Sequence, residues 1–338
     1  IDCAKYVAII AVAIDHTSGF LYDNKTLAYA SYFSVSLFIL LSGLSSVISS
    51  SNKFKGFQHQ FKKVMKLFIS YSIATLILFI YYRRFFDLKQ YIDTILNFNI
   101  QGPYYFLVFY FQLVLITPLL IYWYKLCNKS KYKILWHTIT MFIILYLSSL
   151  FIRYTFILPV HGGGRFLFGG TYFALYYFGM LLSPINTMPF FKKNIFLLFI
   201  ISCVSWIIWL VLMTNNMIII DSILSPFFGF GFNPPSFNFS IFAILTLFVL
   251  FSLFNCLENL KFKSVKLVLY SFSNLGQYTL YIFMYHLLVK DIILSILPEI
   301  TNIWLIRLLV FIPMITFPAL FIIILNQVKS FIFSTSTV

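Results

Sequence analysis

The first apolar stretch, DCAKYVAIIAVAIDHTSGF at residues 2–20, has the length and hydrophobicity of a helix that crosses a lipid bilayer. At 3.6 residues per turn, Asp2, Lys5 and His16 return to one face of this helix. A rise of about 1.5 Å per residue places His16 roughly 20 Å from Asp2, at or beyond the middle of the bilayer. A titratable ring is costly to keep at that depth, which favours a role in chemistry.

The rest of the chain has the same apolar character. Of its 338 residues, 61% are hydrophobic and 10% are charged, and the mean hydropathy is +0.93, which excludes an ordinary soluble domain. We expect an all-α polytopic membrane protein that forms a single domain over residues 1–338. About ten transmembrane helices are predicted, at residues 2–20, 27–50, 64–82, 103–124, 134–158, 166–185, 194–220, 237–257, 274–297 and 302–328.

The basic residues predict the orientation of these spans. If the amino terminus is inside, fourteen Lys and Arg residues fall in inner segments and six in outer ones, so both termini are expected in the cytoplasm of a multi-pass plasma-membrane protein. The loop at 83–102 is basic although it is assigned outside, and we expect it to pack back against the protein. Because the chain begins at Ile1 and turns apolar at once, we also expect residues to be missing upstream.

The net charge of +15 does not indicate a nucleic-acid partner, because the basic residues form short clusters between apolar runs. The bilayer is the partner that this pattern predicts. No metal site is expected, because the four cysteines have neither close pairing nor ligand spacing; they are Cys3, Cys127, Cys203 and Cys256.

His16 admits two interpretations. It could hydrogen-bond a neighbouring helix while Asp2 and Lys5 form an ion pair one turn apart at the membrane interface. Alternatively, a neutral imidazole facing a cavity could act as a general base, taking the proton of a hydroxyl group as that group attacks an acyl carbonyl. In the second interpretation Asp2 supports the site.

A basic cluster lies at the inner end of the third span. Lys62 and Lys63 precede Lys66 by four and three residues, so all three share one helix surface. They could serve only as a topology signal. However, Lys66 continues directly into an apolar segment, and such a cluster suits a cytosolic phosphate-bearing donor such as a coenzyme A thioester.

The outer side carries a second polar group, formed by Arg153 near the end of the fifth span and by His161 and Arg165 around a Gly triplet. Arg153 could simply extend its charge to the interface. The alternative is contact with a polyol or anionic acceptor. A further histidine, His286, lies in an aromatic helix, where a histidine is more often a packed, hydrogen-bonded residue than a catalyst.

Several motifs, taken in their order along the chain, resemble those of the acyltransferase 3 family of integral membrane acyltransferases, which modify sugars and cell-envelope polymers. The resemblance covers nearly the whole chain and rests on these segments: Asp2-x-x-Lys5 with His16; Ser36-Leu37-Phe38-Ile39-Leu40-Leu41-Ser42-Gly43; Lys63-x-x-Lys66-Leu67 with Tyr71; Tyr104-Tyr105-Phe106-Leu107; Tyr177-Phe178-Gly179; and Gly276 through Tyr285-His286. It implies that His16 is catalytic, that Lys63 and Lys66 with Tyr71 help bind the acyl donor, and that the acyl group crosses within the protein to an outer acceptor. The chain departs from the family pattern where lysines replace two arginines and Ile69 replaces a proline, so bidentate recognition of phosphate is lost there while charge is retained.

We therefore expect an O-acyltransferase, and specifically an O-acetyltransferase, of an AT-rich bacterium. Acyl-CoA, with acetyl-CoA the favoured form, would be a substrate rather than a permanently bound cofactor, and the acceptor would be a hydroxyl of a cell-surface glycan. Lys5, Lys63 and Lys66 would hold the donor, and Arg153 or Arg165 with His161 would meet the acceptor, while His286 supports the site. The rival hypotheses are a flippase or exporter of lipid-linked glycans and a glycan polymerase, for which the chain lacks transporter-type repeats and a large charged outer loop respectively.

Overall fold

A computed structural model describes residues 1–19, 21–50, 56–83, 86–153, 171–184, 193–215, 224, 227–228, 231, 233–297 and 303–335. Helices dominate this part of the chain, and its extended pairings are isolated bridges. A short 3₁₀ turn, Gly102–Tyr104, precedes α6. The helices are α1 Asp2–Asp15, α2 Lys25–Ser31, α3 Ser34–Ser50, α4 Phe57–Arg83, α5 Leu88–Asn97, α6 Tyr105–Lys129, α7 Lys133–Arg153, α8 Thr171–Leu181, α9 Ile195–Thr214, α10 Phe237–Glu258, α11 Lys263–Gly276, α12 Thr279–Ile296 and α13 Ile303–Thr335.

Eight helical segments within the described residues are long and apolar enough to cross a membrane, which confirms an all-α polytopic membrane protein. Each lies in or overlaps one of the expected spans: Lys25–Ser50, Phe57–Arg83, Gly102–Lys129, Lys133–Leu150, Ile195–Thr214, Phe237–Glu258, Thr279–Ile296 and Leu305–Leu325. Of the two other expected spans, 2–20 contains α1, whose 14 residues extend only about 21 Å. The second, 166–185, contains the 11-residue α8 and begins outside the described residues. The count of ten and the cytoplasmic termini stay predictions.

The contacts within the chain group into two units. The first combines the two ends of the chain, Ile1–Ser34 and Leu253–Val338, and the second contains the middle, Val35–Ser252. The single domain expected over residues 1–338 stays a prediction.

In the first unit, α1 packs through a surface of small residues. Ala4, Ala8 and Ala11 are buried on α1, and Gly276 at the end of α11 meets the Asp2 backbone. Small side chains let helix backbones approach closely where lipid provides no hydrophobic drive for association. Around the carboxyl end of α1, an apolar cluster joins this part of the chain to α13. Its buried members are Ala13, Leu21, Val310, Met314 and Ile315.

In the second unit, α3 and α8 cross at two glycines. A Cβ built on Gly43 would lie 2.0 Å from the carbonyl oxygen of Tyr176, and one built on Gly179 would lie 2.1 Å from that of Leu40. Each glycine therefore receives the backbone of the opposite helix. This reciprocal contact explains why α3 and α8 each have a glycine at the crossing.

The basic segment at 83–102 does pack back against the protein. It forms α5, whose Tyr91 hydroxyl donates to the Ser72 carbonyl of α4 at 2.9 Å. The Asp87 carboxylate caps the start of α5, and Phe98, with a left-handed φ of 54°, ends it. The sequence placed this segment in an outer loop; its helix is too short to span a bilayer, so a search for long apolar runs does not detect it.

Candidate active site

His16 lies immediately after α1, as the residue that caps its carboxyl end. Its backbone remains helical, with φ −76° and ψ 0°, and its amide donates to the Val12 carbonyl at 3.0 Å. The chain then turns, held by the Thr17 hydroxyl on the Ala13 and Ile14 carbonyls, each at 2.9 Å. His16 is half-buried.

The neighbour of His16 is the histidine near the other end of the chain. The ring centroids of His16 and His286 are 5.2 Å apart and the ring planes are tilted by 34°. His286, on α12, is only 1% exposed, and its Nδ1 lies 2.7 Å from the carbonyl oxygen of Phe283. The structure thus brings together two histidines that the sequence proposed in separate motifs.

One cationic side chain, that of Lys290, acts on this pair. Lys290 lies one turn after His286 on α12 and is near enough for its charge to act on His16. Its Nζ is 3.9 Å from the carboxylate of Asp291. Asp15, adjacent to His16 in sequence, is half-buried, and its charge acts on the hydroxyls of Tyr22 and Tyr32. The sequence interpretation counted Lys290 among the outer charges, although its i+4 spacing from His286 was a signal that the two side chains share a face.

The opposite end of α1 carries the expected ion pair. The Lys5 ammonium lies 2.9 Å from the Asp2 carboxylate, within one helical turn. Both side chains are partly exposed, so the pair itself contributes little to stability. The donor-binding role of Lys5 and the supporting role of Asp2 stay predictions.

The basic cluster of α4 belongs to the second unit. Lys63 and Lys66 are exposed, as a site for a phosphate-bearing ligand would require. Tyr71, predicted with them, is fully buried, and its hydroxyl donates to the Ile95 carbonyl of α5 at 3.0 Å. That hydroxyl therefore ties α4 to α5, and its role in donor binding stays a prediction.

The side chains of the three predicted acceptor residues are not among those that the structure describes. Arg153 is the last residue of α7, and nothing is described of its side chain. His161 and Arg165 lie within 154–170, outside the described residues. Their roles stay predictions.

The described residues do not bring three potential metal ligands of the His, Cys, Asp or Glu type together. The four cysteines are free thiols. The site offers the chemistry of a half-buried imidazole in contact with a buried one, with the Lys290 ammonium near both.

Comparison with known proteins gives one match. The family model described as an acyltransferase domain matches residues 1–323. No curated protein and no solved structure matches the chain. The family match extends over nearly all of the chain, and the described residues include eight helical segments of membrane-spanning length. The chain therefore belongs to the acyltransferase 3 family and is a multi-pass membrane acyltransferase that transfers groups other than aminoacyl groups.

Proposed function

We propose that this acyltransferase moves an acyl group, in particular acetyl, from a cytosolic acyl-CoA to a hydroxyl of a cell-envelope glycan in a bacterial plasma membrane. The observation that carries the proposal is the half-buried His16 in contact with His286. A partly accessible imidazole in an apolar site is suited to general base catalysis on a hydroxyl substrate.

In the proposed reaction, one nitrogen of His16 takes the proton of the acceptor hydroxyl while the hydroxyl oxygen attacks the thioester carbonyl. The new C–O bond forms, the C–S bond breaks, and the coenzyme A thiolate receives the proton from the His16 imidazolium. The products are an ester and free coenzyme A, and His16 returns to its neutral form. The acyl donor is consumed as a substrate, with no permanently bound cofactor.

The donor is held, in this proposal, by the ammonium groups of Lys5, Lys63 and Lys66. Lysine suits a phosphate-bearing ligand as a point charge, without the bidentate geometry of arginine. Arg153 and Arg165 with His161 would contact the glycan acceptor on the outer side. Arg153 lies near the end of the fifth expected span, and His161 and Arg165 lie between the fifth and sixth.

The test is the amount of base-releasable acetate on purified surface polysaccharide. Cells would carry the native protein, no protein, His16→Ala or His59→Ala, all variants being expressed equally. His59 is an exposed histidine of α4 and serves as the matched control. We expect acetate to be lost in the deletion strain and in His16→Ala and to be retained in His59→Ala.

Acetate that is unchanged in every strain would overturn the O-acetyltransferase. If polymer were also missing from the surface of the deletion strain, the exporter hypothesis would replace it. The family match lends no support to that hypothesis at present.

A further inference from the structure

We propose that His286 is the positioning residue of the transfer reaction, accepting through Nε2 a hydrogen bond from the imidazole N–H of His16. This inference rests on the proposed function, in which His16 is the general base. It assigns the role of general base to the ring nitrogen of His16 that is not hydrogen-bonded to His286.

The tautomer of His286 follows from its backbone partner. The Phe283 carbonyl oxygen, 2.7 Å from Nδ1, can only accept a hydrogen bond, so Nδ1 must carry the proton. In a neutral imidazole the other nitrogen then has a lone pair. In neutral His286, Nε2 is therefore a hydrogen-bond acceptor.

That acceptor lacks a donor. Nε2 is buried, and His286 as a whole is only 1% exposed. Nε2 nevertheless has no hydrogen-bond partner among the described residues. Buried polar atoms in native proteins are nearly always satisfied, so an unsatisfied acceptor on a ring that contacts the proposed general base calls for an explanation. A donor that arrives or turns toward Nε2 during the reaction provides that explanation.

His16 is placed to be the donor. Two imidazole rings joined by an N–H···N hydrogen bond have centroids on the order of 5 Å apart. The centroids of His16 and His286 are 5.2 Å apart, a separation that matches such a bond once the His16 ring turns an N–H toward Nε2. His16 is partly exposed whereas His286 is not, so an acceptor hydroxyl has access to His16.

A neutral orienting group suits this environment. When His16 takes a proton, its second N–H stays directed at Nε2, which stabilises the imidazolium and keeps the ring oriented for return of the proton to the thiolate. In a serine-protease triad a carboxylate has this role, but an isolated carboxylate in an apolar interior is costly. Histidine provides the acceptor without adding a charge.

The experiment compares two amides at position 286. The glutamine amide reaches the place of Nε2 and restores an acceptor there, whereas the asparagine amide reaches only the place of Nδ1 and restores the bond to the Phe283 carbonyl. His286→Gln, His286→Asn and His286→Leu would be assayed in membrane vesicles, with labelled acetyl-CoA as donor and the endogenous glycan fraction as acceptor.

We expect kcat to fall by about 100-fold or more in His286→Asn and His286→Leu. Without its partner, the His16 ring is no longer oriented for proton transfer, and acid–base assistance contributes at least about that factor. His286→Gln should retain activity within about tenfold of native, and KM for acetyl-CoA should be the same in all variants. Asparagine equal to or better than glutamine would show a purely structural role and overturn the inference, as would a raised KM with native kcat.

The matched control is His137→Asn. In the second unit, His137 likewise has one ring nitrogen engaged, with Nδ1 2.8 Å from the Tyr177 hydroxyl, and an Nε2 without a partner among the described residues. Its kcat should remain native. If the native protein transfers no acetyl, or His16→Ala is fully active, the proposed function fails instead, whatever the position-286 variants do.

Discussion

Gly276 meets the backbone of Asp2 without space for a side chain: a Cβ at Gly276 would lie 2.0 Å from the Asp2 carbonyl oxygen. The neighbouring contacts of the same crossing include Tyr6 edge-on to Phe272 at 5.0 Å and the Cys3 thiol on the Leu269 carbonyl at 3.3 Å. The glycine therefore sets how closely α11 approaches the helix that carries His16.

Gly276→Ala should destabilise the protein, because the backbone of α1 or α11 must move to admit the methyl group. Overpacking of this kind costs about 1–3 kcal/mol. The melting midpoint of purified protein in a fixed detergent should fall. Gly102→Ala is the control, since a Cβ there has nothing within 4 Å, and it should melt near the native temperature. Equal midpoints for the two variants would contradict the close contact.

The two glycines of the α3–α8 crossing should behave as a pair. Gly43→Ala and Gly179→Ala each force the same two helices apart, so each should lower the melting midpoint. Because one separation relieves both clashes, the double variant should lose less than the sum of the single losses, a non-additivity typical of residues in contact. Strictly additive losses would show that the two contacts are independent.

Lys63 and Lys66 should contribute to binding of the acyl donor and not to the rate of the transfer step. In the variant with both changed to Gln, we expect KM for acetyl-CoA to rise several-fold with little change in kcat. Since screening weakens interactions of exposed charges, the difference from native should shrink at high salt. Lys129→Gln with Lys131→Gln removes two other exposed charges and should leave KM unchanged. A native KM in the Lys63 and Lys66 variant at low salt would remove these lysines from the donor site.

Tyr71→Phe separates two roles for one hydroxyl. Loss of its hydrogen bond to Ile95 should lower the free energy of unfolding by about 1 kcal/mol, since the carbonyl also loses a buried partner. With the hydroxyl committed to that carbonyl, KM for acetyl-CoA should stay native. Tyr146→Phe, at a tyrosine that is 56% exposed, should change neither quantity. A raised KM with unchanged stability in Tyr71→Phe would instead support the donor-binding role.

The sequence was sufficient for the membrane fold, because long apolar runs have few alternatives in a bilayer. It was insufficient for α5, which is short and amphipathic, and consequently for the partner of Tyr71. It identified His16 and His286 separately, but their contact depends on how the first helix packs against the penultimate one. No spacing along the chain encodes that packing. The i+4 spacing of Lys290 from His286 indicated that these two side chains share a face, but the effect of Lys290 on His16 depends on the same packing.

The first unit, built from the two ends of the chain, has a consequence for biosynthesis. His16 emerges from the ribosome early and His286 late, and at typical rates of synthesis the delay is on the order of tens of seconds. During that interval α1 lacks α11, α12 and α13, which it contacts in the first unit. A nascent chain released before α12 is complete would contain His16 but not His286. Under the proposed function, premature termination should therefore yield an inactive product instead of a partly active one.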